Sequence, residues 1–292
     1  MPCARTPPVA SATASRRPTS RACQLRGTAS ELGAPSRGAR SDHGPVRAAR
    51  RCDLTVAREK AVLSWSGGKD SAMALYELRK TGNFDVAALL TTVAETYERV
   101  SHHGVRVELL EQQALAVGVP LHKVYLPPER CTNEHYEAVM KRTMLEYRDA
   151  GICRVAFGDI FLADLRAYRE RNLAGVGMTA LFPLWHRETS ELIQTFIGLG
   201  FRAYLACVDG SKLTMDFAGR PIDTDLIRDL PHGVDPCGEN GEFHSFVYDG
   251  PIFRWPVPVK VGQVVQRDTR YFADLLPDAE PRGQAQGRPI GP

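Results

Sequence analysis

Six consecutive residues, Ser66-Gly67-Gly68-Lys69-Asp70-Ser71, combine two adjacent glycines, two hydroxyls, a lysine and a carboxylate. They follow the apolar run "AVLSW" and precede a helix-forming stretch, which places them at a strand-to-helix turn. There the first N–H groups of the helix have no intrahelical acceptor and the helix dipole favours negative charge, so the turn is an anion site. Gly67 and Gly68 permit the dihedrals of an amide nest and let a phosphate approach the backbone. Ser66 and Ser71 add hydroxyl donors, and Lys69 adds a mobile positive charge. Asp70 is the odd member, because a carboxylate repels phosphate. In the first helical turn it can complement the dipole, brace neighbouring amides or meet Mg²⁺. The string is not a Walker A loop, which needs four residues between its glycines and then Gly-Lys-Ser/Thr, nor is it G-x-G-x-x-G. A glycine-rich turn that binds nothing is the plain alternative.

A second group of reactive side chains lies about 165 residues further on. The stretch "VDPCGENGEFHSFVYDGPIF", Val234 to Phe253, packs Asp235, Cys237, Glu239, Glu242, His244 and Asp249 among glycines and prolines. Carboxylates and a histidine on a constrained loop can bind Mg²⁺, orient ammonia or act as general acid and base. Charged loops are also commonly solvated surface. Cys237 is a candidate nucleophile, against the commoner role of a small buried residue. His102-His103, after the second predicted strand, reads as a solvated loop, and Trp65 as packing under the first motif. Arg166, Arg169 and Arg171 either reach a nucleotide or form a solvated helix face with Asp164 and Glu170.

The string Ser-Gly-Gly-x-Asp-Ser resembles the pyrophosphate loop of the ATP pyrophosphatase superfamily. Its five fixed positions recur by chance on the order of once per thousand chains of this length. Together with "DPCGENGEFHSFVYDGPIF", "GDIFLADLRAYRERN" and "LFPLW", it resembles the diphthine–ammonia ligase family over roughly residues 60 to 255. That family ends a similar two-domain chain with Gly-Glu-x-Gly-Glu-Phe-His. The resemblance implies a HUP-type parallel-sheet domain that binds ATP with Mg²⁺, closed by a second domain. It further implies adenylation of a carboxylate acceptor, release of pyrophosphate into the loop, and displacement of AMP by ammonia. By motif position, Ser66, Gly67, Gly68, Lys69, Asp70 and Ser71 hold the phosphates, with Asp70 toward the metal. Gly158 and Asp159 lie beside the nucleotide, and Glu239, Glu242 and His244 handle substrate or ammonia. Eukaryotic and archaeal members amidate diphthine, a modified histidine on a translation elongation factor. The Arg-, Ala-, Gly- and Pro-rich composition here suggests a GC-rich genome and a bacterial relative, so the reaction class transfers more readily than the acceptor. Two other readings remain: a tRNA-modifying pyrophosphatase of thiolase or lysidine type, and a nucleotide-binding sensor without chemistry.

The elements that must position these motifs alternate. "AVLSWS" reads as a buried strand and "GGKDSAMALYELRKTG" as a helix ending at Gly82. Val86 to Thr92 gives a second strand, "GVRVELLEQQALAVGVP" a helix stopped by Gly118 and Pro120, and "LHKVYLP" a third strand. Asn133 is placed to cap a helix whose Tyr136, Val139, Met140, Thr143, Met144 and Tyr147 keep helical spacing. "CRVAFGDI" gives a fourth strand ending at Asp159, followed by a helix around "LADLRAYRERNLA" and a fifth apolar piece, "TALFPLW". Strands separated by helices of 10–15 residues predict an α/β fold, a three-layer parallel sheet covered on both faces. Beyond Trp185 a helix, a strand and irregular Gly/Pro-rich stretches with an alternating strand predict a smaller α+β domain. The expected organisation is a leader over 1–57, an ATP-binding domain over 58–185, a completing domain over 186–275, and a disordered tail over 276–292.

With 292 residues, 43% hydrophobic and 24% charged, the chain is an ordinary globular one. No apolar run approaches the ~18 residues of a spanning helix. Seven cysteines without C-x-x-C spacing suit reduced thiols in the cytoplasm. The formal charge of +3 hides an uneven distribution, since ten arginines fall within residues 1–52 and leave the remainder at about −5. That balance lacks the basic stripe of a nucleic-acid binder. The Arg/Ser/Pro-rich leader reads as a disordered tail or translated upstream sequence, with an organellar transit peptide as the other reading.

Overall fold

The computed structural model describes residues 58–94, 99–100, 104–126 and 132–278. The leader, the His102-His103 pair and residues 279–292 of the expected tail lie outside the described residues, whereas Leu276 and Pro277, also assigned to that tail, end the last strand. The first sheet carries five parallel strands: β1 (Glu59–Ser64), β2 (Phe84–Ala94), β4 (Leu121–Leu126), β5 (Arg154–Ala156) and β6 (Thr179–Leu181). Their order is β4–β2–β1–β5–β6, and the two-residue β3 (Arg99–Val100) runs antiparallel to the end of β2. Five helices connect and cover them: α1 (Lys69–Thr81), α2 (Val107–Val117), α3 (Asn133–Asp149), α4 (Ala163–Ala174) and α5 (Thr189–Gly198). The strand order reverses between β1 and β5, and a doubly wound sheet binds ligands in the crevice outside the strand ends at such a reversal.

Ala61, Val62 and Leu63 of β1 are all fully buried, and successive side chains enter cores on opposite faces of the sheet. Leu63 packs with residues of α1, α2 and α5 in one core, whereas Val62 packs with Leu90, Val124, Val155, Met144 of α3 and Leu173 of α4 in another. The first core runs on without a break into the second sheet through Phe201, Leu205, Phe246 and Val247. That sheet is antiparallel, in the order β8–β7–β10–β9, from β7 (Arg202–Asp209), β8 (Phe243–Asp249), β9 (Val259–Arg267) and β10 (Arg270–Pro277). A short α6 (Thr224–Asp229) lies between β7 and β8.

Two sequence expectations need correction. The cap of α3 is Thr132, not Asn133: the Thr132 hydroxyl accepts the His135 N–H at 3.2 Å, and Asn133 is already the first helical residue. The fourth strand ends at Ala156 rather than Asp159. The Phe157 N–H still bonds to the Leu181 carbonyl, but Gly158 then turns onto α1. A Cβ at Gly158 would stand 2.8 Å from the Asp70 carbonyl carbon, so the chain leaves the sheet where two backbones meet.

Candidate functional site

The loops that follow β1 and β5 meet at the strand-order reversal, and the turn leading into β8 closes over them. Between the three lies a cleft of ≈ 270 Å³ lined by Ser66, Gly68, Lys69, Asp70 and Ser71 from the first loop. Phe157, Gly158, Asp159 and Arg169 form a second wall, and Gly238, Glu239, Gly241, Phe243, His244 and Ser245 a third. The two motifs, far apart in sequence, thus face one another.

The first loop is shaped by backbone. Gly67 is buried with φ +77°, a left-handed conformation suited to glycine. The Gly68 N–H bonds to Ser66 Oγ at 3.2 Å, and the Lys69 N–H donates to Ser245 Oγ at 3.1 Å. The hydroxyls of Ser66 and Ser71 lie 3.2 Å apart, and Ser71 Oγ–H also reaches the Gly68 carbonyl at 3.0 Å. The Lys69 ammonium is buried and gripped by both oxygens of Asp70, at 2.7 and 2.8 Å. Burial by itself would push that ammonium down, but Asp70, then Cys237 and Glu239, hold it above the usual lysine value. Asp70 therefore acts as the counter-ion of Lys69.

Across the cleft, Asp159 pairs with Arg169, whose Nε lies 2.9 Å from Oδ2 and whose guanidinium stacks over Phe157 at 4.1 Å. Burial raises the Asp159 carboxyl, Arg169 opposes this, and Asp70 adds to the rise. Glu239 Oε1 accepts the Ile160 N–H at 2.9 Å. Its carboxyl is pushed up to about 7, first by burial and then by the Asp70 charge, against the Ile160 bond and Lys69. A carboxylate near half-protonation at neutral pH has the acidity that proton transfer needs.

The remaining residues of the second motif are used differently. Glu242 is buried and does not line the cleft. Its Oε1 accepts from the Asp235 N–H at 3.2 Å and its Oε2 from the Asn240 N–H at 3.0 Å, so it braces its own loop. Asp235 does the same, accepting from the N–H groups of Cys237 at 2.8 Å and Glu239 at 3.2 Å and from the Thr189 hydroxyl at 2.7 Å. Cys237 is 1% exposed, its thiol donates to the Thr189 carbonyl, and burial pushes it up to about 12, which disarms it as a nucleophile. His244 lines the cleft. Arg166 lies against Trp185 and Phe182 and pairs with Glu170, while Arg171 is exposed. Trp65 is buried as expected.

Two contributors escaped the sequence reading. Ser245 holds the first loop through the Lys69 N–H, and Gln113 of α2 holds it through the Gly67 carbonyl at 2.9 Å. Neither belongs to a spacing pattern; only the buried polar position of Gln113 on an apolar helix face hinted at a role.

Comparison with known proteins accords with this geometry. Residues 59–180 match the model of the diphthamide synthase N-terminal domain, and residues 188–275 that of the diphthamide synthase C-terminal domain. The chain is 25% identical over 236 residues to a diphthine–ammonia ligase of Bos taurus, covering 72% of this chain and 86% of that protein. It is 25% identical over 239 residues to that of Homo sapiens, with the same coverage. Against that of Danio rerio it is 26% identical over 238 residues, covering 72% and 90%.

Proposed function

The chain belongs to the diphthamide synthase family, and from that premise we propose that it is an ATP-dependent carbon–nitrogen ligase that amidates a carboxylate with ammonia. The reaction consumes ATP, ammonia and the carboxylate and yields the amide, AMP and pyrophosphate. The observation that carries the reading is the meeting of the two motifs in one cleft at the strand-order reversal, tied by the Lys69 N–H to Ser245 Oγ bond. The family match favours this ligase over a tRNA-modifying pyrophosphatase or a sensor.

In this reading the loop Ser66–Ser71 receives the β- and γ-phosphates on its amides and hydroxyls, and Gly158 lets the loop after β5 close onto the Asp70 backbone at the edge of the same cleft. Attack of the acceptor carboxylate on the α-phosphorus forms an acyl-adenylate as the α–β bond breaks. Ammonia then attacks the acyl carbon and AMP departs. Glu239, with its carboxyl near neutrality, takes the proton that ammonium must lose, and His244 faces the same space. Glu242 serves by fixing the loop that carries Glu239.

Mg²⁺ fits this cleft as an ion brought with the nucleotide. Among the described residues no three His, Cys, Asp or Glu side chains converge as a metal site. Asp70, Asp159 and Glu239, one from each side of the cleft, nevertheless make it carboxylate-rich, and Asp70 raises both of the others. Mg²⁺ commonly takes one or two carboxylates with phosphate oxygens and water; Asp70 would be the carboxylate for it, giving up one of its two contacts with Lys69. The ion would supply charge neutralisation at the phosphates.

No helix among the described residues is long and apolar enough to cross a membrane. Cys153, Cys207 and Cys237 are free thiols, which suits a cytoplasmic enzyme. The acceptor is a carboxylate on a small molecule or a protein side chain. The test is an assay of ATP and ammonium against diphthine-bearing elongation factor and fractionated cell extract. Acceptor-dependent pyrophosphate release is expected; pyrophosphate release from none of them would overturn the reading.

A further inference from the structure

Gln113 occupies the buried face of α2, 0% exposed, among Leu109, Leu110, Ala114 and Val117. Such a face has no packing need for a carboxamide, and burying one is costly unless its polar atoms are paired. Here they are. Gln113 Oε1 accepts the Trp65 indole N–H at 3.0 Å, and Nε2 donates to the Gly67 carbonyl at 2.9 Å and to the Val247 carbonyl at 2.5 Å. The Val247 N–H in turn donates to the Gly67 carbonyl at 2.9 Å. One side chain thus joins the end of β1, the first loop, α2 and β8, with both of its donors used.

Gly67 bends around that carboxamide. Its φ is +77°, and a Cβ there would stand 2.8 Å from Gln113 Oε1. With its carbonyl drawn back by Gln113 and Val247, the peptide that follows is turned so that Gly68 and Lys69 face the cleft.

We propose that Gln113 is a positioning residue for the phosphate-facing loop: its carboxamide fixes Gly67 in the left-handed conformation and couples the loop to β8. The second sheet then does more than cap the cleft, because the strand that bears His244 and Ser245 also sets the shape of the loop opposite. The effect on nucleotide rests on the ligase reading above; the ordering of the loop does not.

The test compares full-length wild type with Gln113→Met, which removes all three bonds, and Gln113→Glu, which burial against two carbonyls keeps protonated, so that it retains the acceptor for Trp65 and one of the two donors. Amide hydrogen exchange is followed over residues 66–72 and, as a control, over β10, and affinity is measured for a non-hydrolysable ATP analogue. Exchange over 66–72 should quicken about tenfold or more in Gln113→Met with β10 unchanged, as expected for lost hydrogen bonds. Analogue affinity should fall about tenfold, with KM for ATP rising while kcat at saturation changes less than about threefold. Gln113→Glu should fall between, and it decides the matter if the Met variant does not fold. Loop exchange within twofold of wild type in a folded variant would overturn the proposal, as would a lower melting temperature with unchanged affinity. If wild type itself binds no analogue, the ligase reading fails while loop exchange still decides the role of Gln113.

Discussion

The two motifs that meet in the cleft use their residues in opposite ways. Around the first loop the cleft is shaped by backbone: a left-handed glycine, a glycine pressed on Asp70, and amides aimed by neighbours. In the second it is lined and braced by side chains, and those divide by their partners. Glu242 spends its oxygens on N–H groups of its own loop and Asp235 on such groups and the Thr189 hydroxyl, whereas Glu239 faces the cleft with a carboxyl that burial pushes up to about 7. A carboxylate saturated by local amides is a structural part; one left in a shared negative field is available for proton transfer.

That contrast is broken most forcefully at Gly158. Gly158→Ala should cost more than about a hundredfold in turnover, because its Cβ meets the Asp70 backbone, which cannot yield like a flexible side chain. Overpacking should also lower stability by about 1–3 kcal/mol, read by chemical denaturation. Wild-type turnover in this variant would mean the close approach of loop and strand end is incidental.

The next largest effect separates the two glutamates. Glu239→Gln should lose about a hundredfold or more in kcat with its fold intact. Glu242→Gln should lose about 1–3 kcal/mol of stability through its buried amide partners, with kcat of the folded protein within about threefold. Reversal of that pattern in steady-state kinetics and denaturation would exchange their roles.

A smaller effect lies in pH. The Glu239 carboxyl binds its proton more tightly folded than unfolded, so its contribution to stability is full below about 4.5 and is lost as pH rises through about 7. Above that range Glu239→Gln should melt no lower than wild type. The wild-type kcat/KM should climb through about pH 7 as the base forms, and the limb should vanish in the variant. The smallest effect is expected at Cys237: Cys237→Ala should keep kcat within about twofold, and the wild-type thiol should resist iodoacetamide at neutral pH.

Much of this was legible in the sequence because it is local. Lys69–Thr81 begins at Gly68 and ends at a left-handed Gly82 as the pattern required, and the alternation of strands and helices gave the parallel sheet. What stayed hidden depends on partners far along the chain. Ser245 and Gln113 matter because of contacts 176 and 46 residues away. Glu239 and Glu242 lie three residues apart and are the same residue type, yet Glu242 takes N–H groups of its own loop, whereas Glu239 takes that of Ile160, far along the chain, and lies in the field of Asp70. The fourth strand stops early because Gly158 meets Asp70, a contact that strand propensity does not contain.

The most direct measurement is ³¹P NMR of the wild-type reaction with ATP, ¹⁵N-ammonium and an acceptor that triggers turnover. Equal amounts of AMP and pyrophosphate, with ¹⁵N in an acceptor amide, are predicted; ADP and orthophosphate, or an acceptor without ¹⁵N, would contradict the cleft chemistry proposed for Glu239 and the Ser66–Ser71 loop.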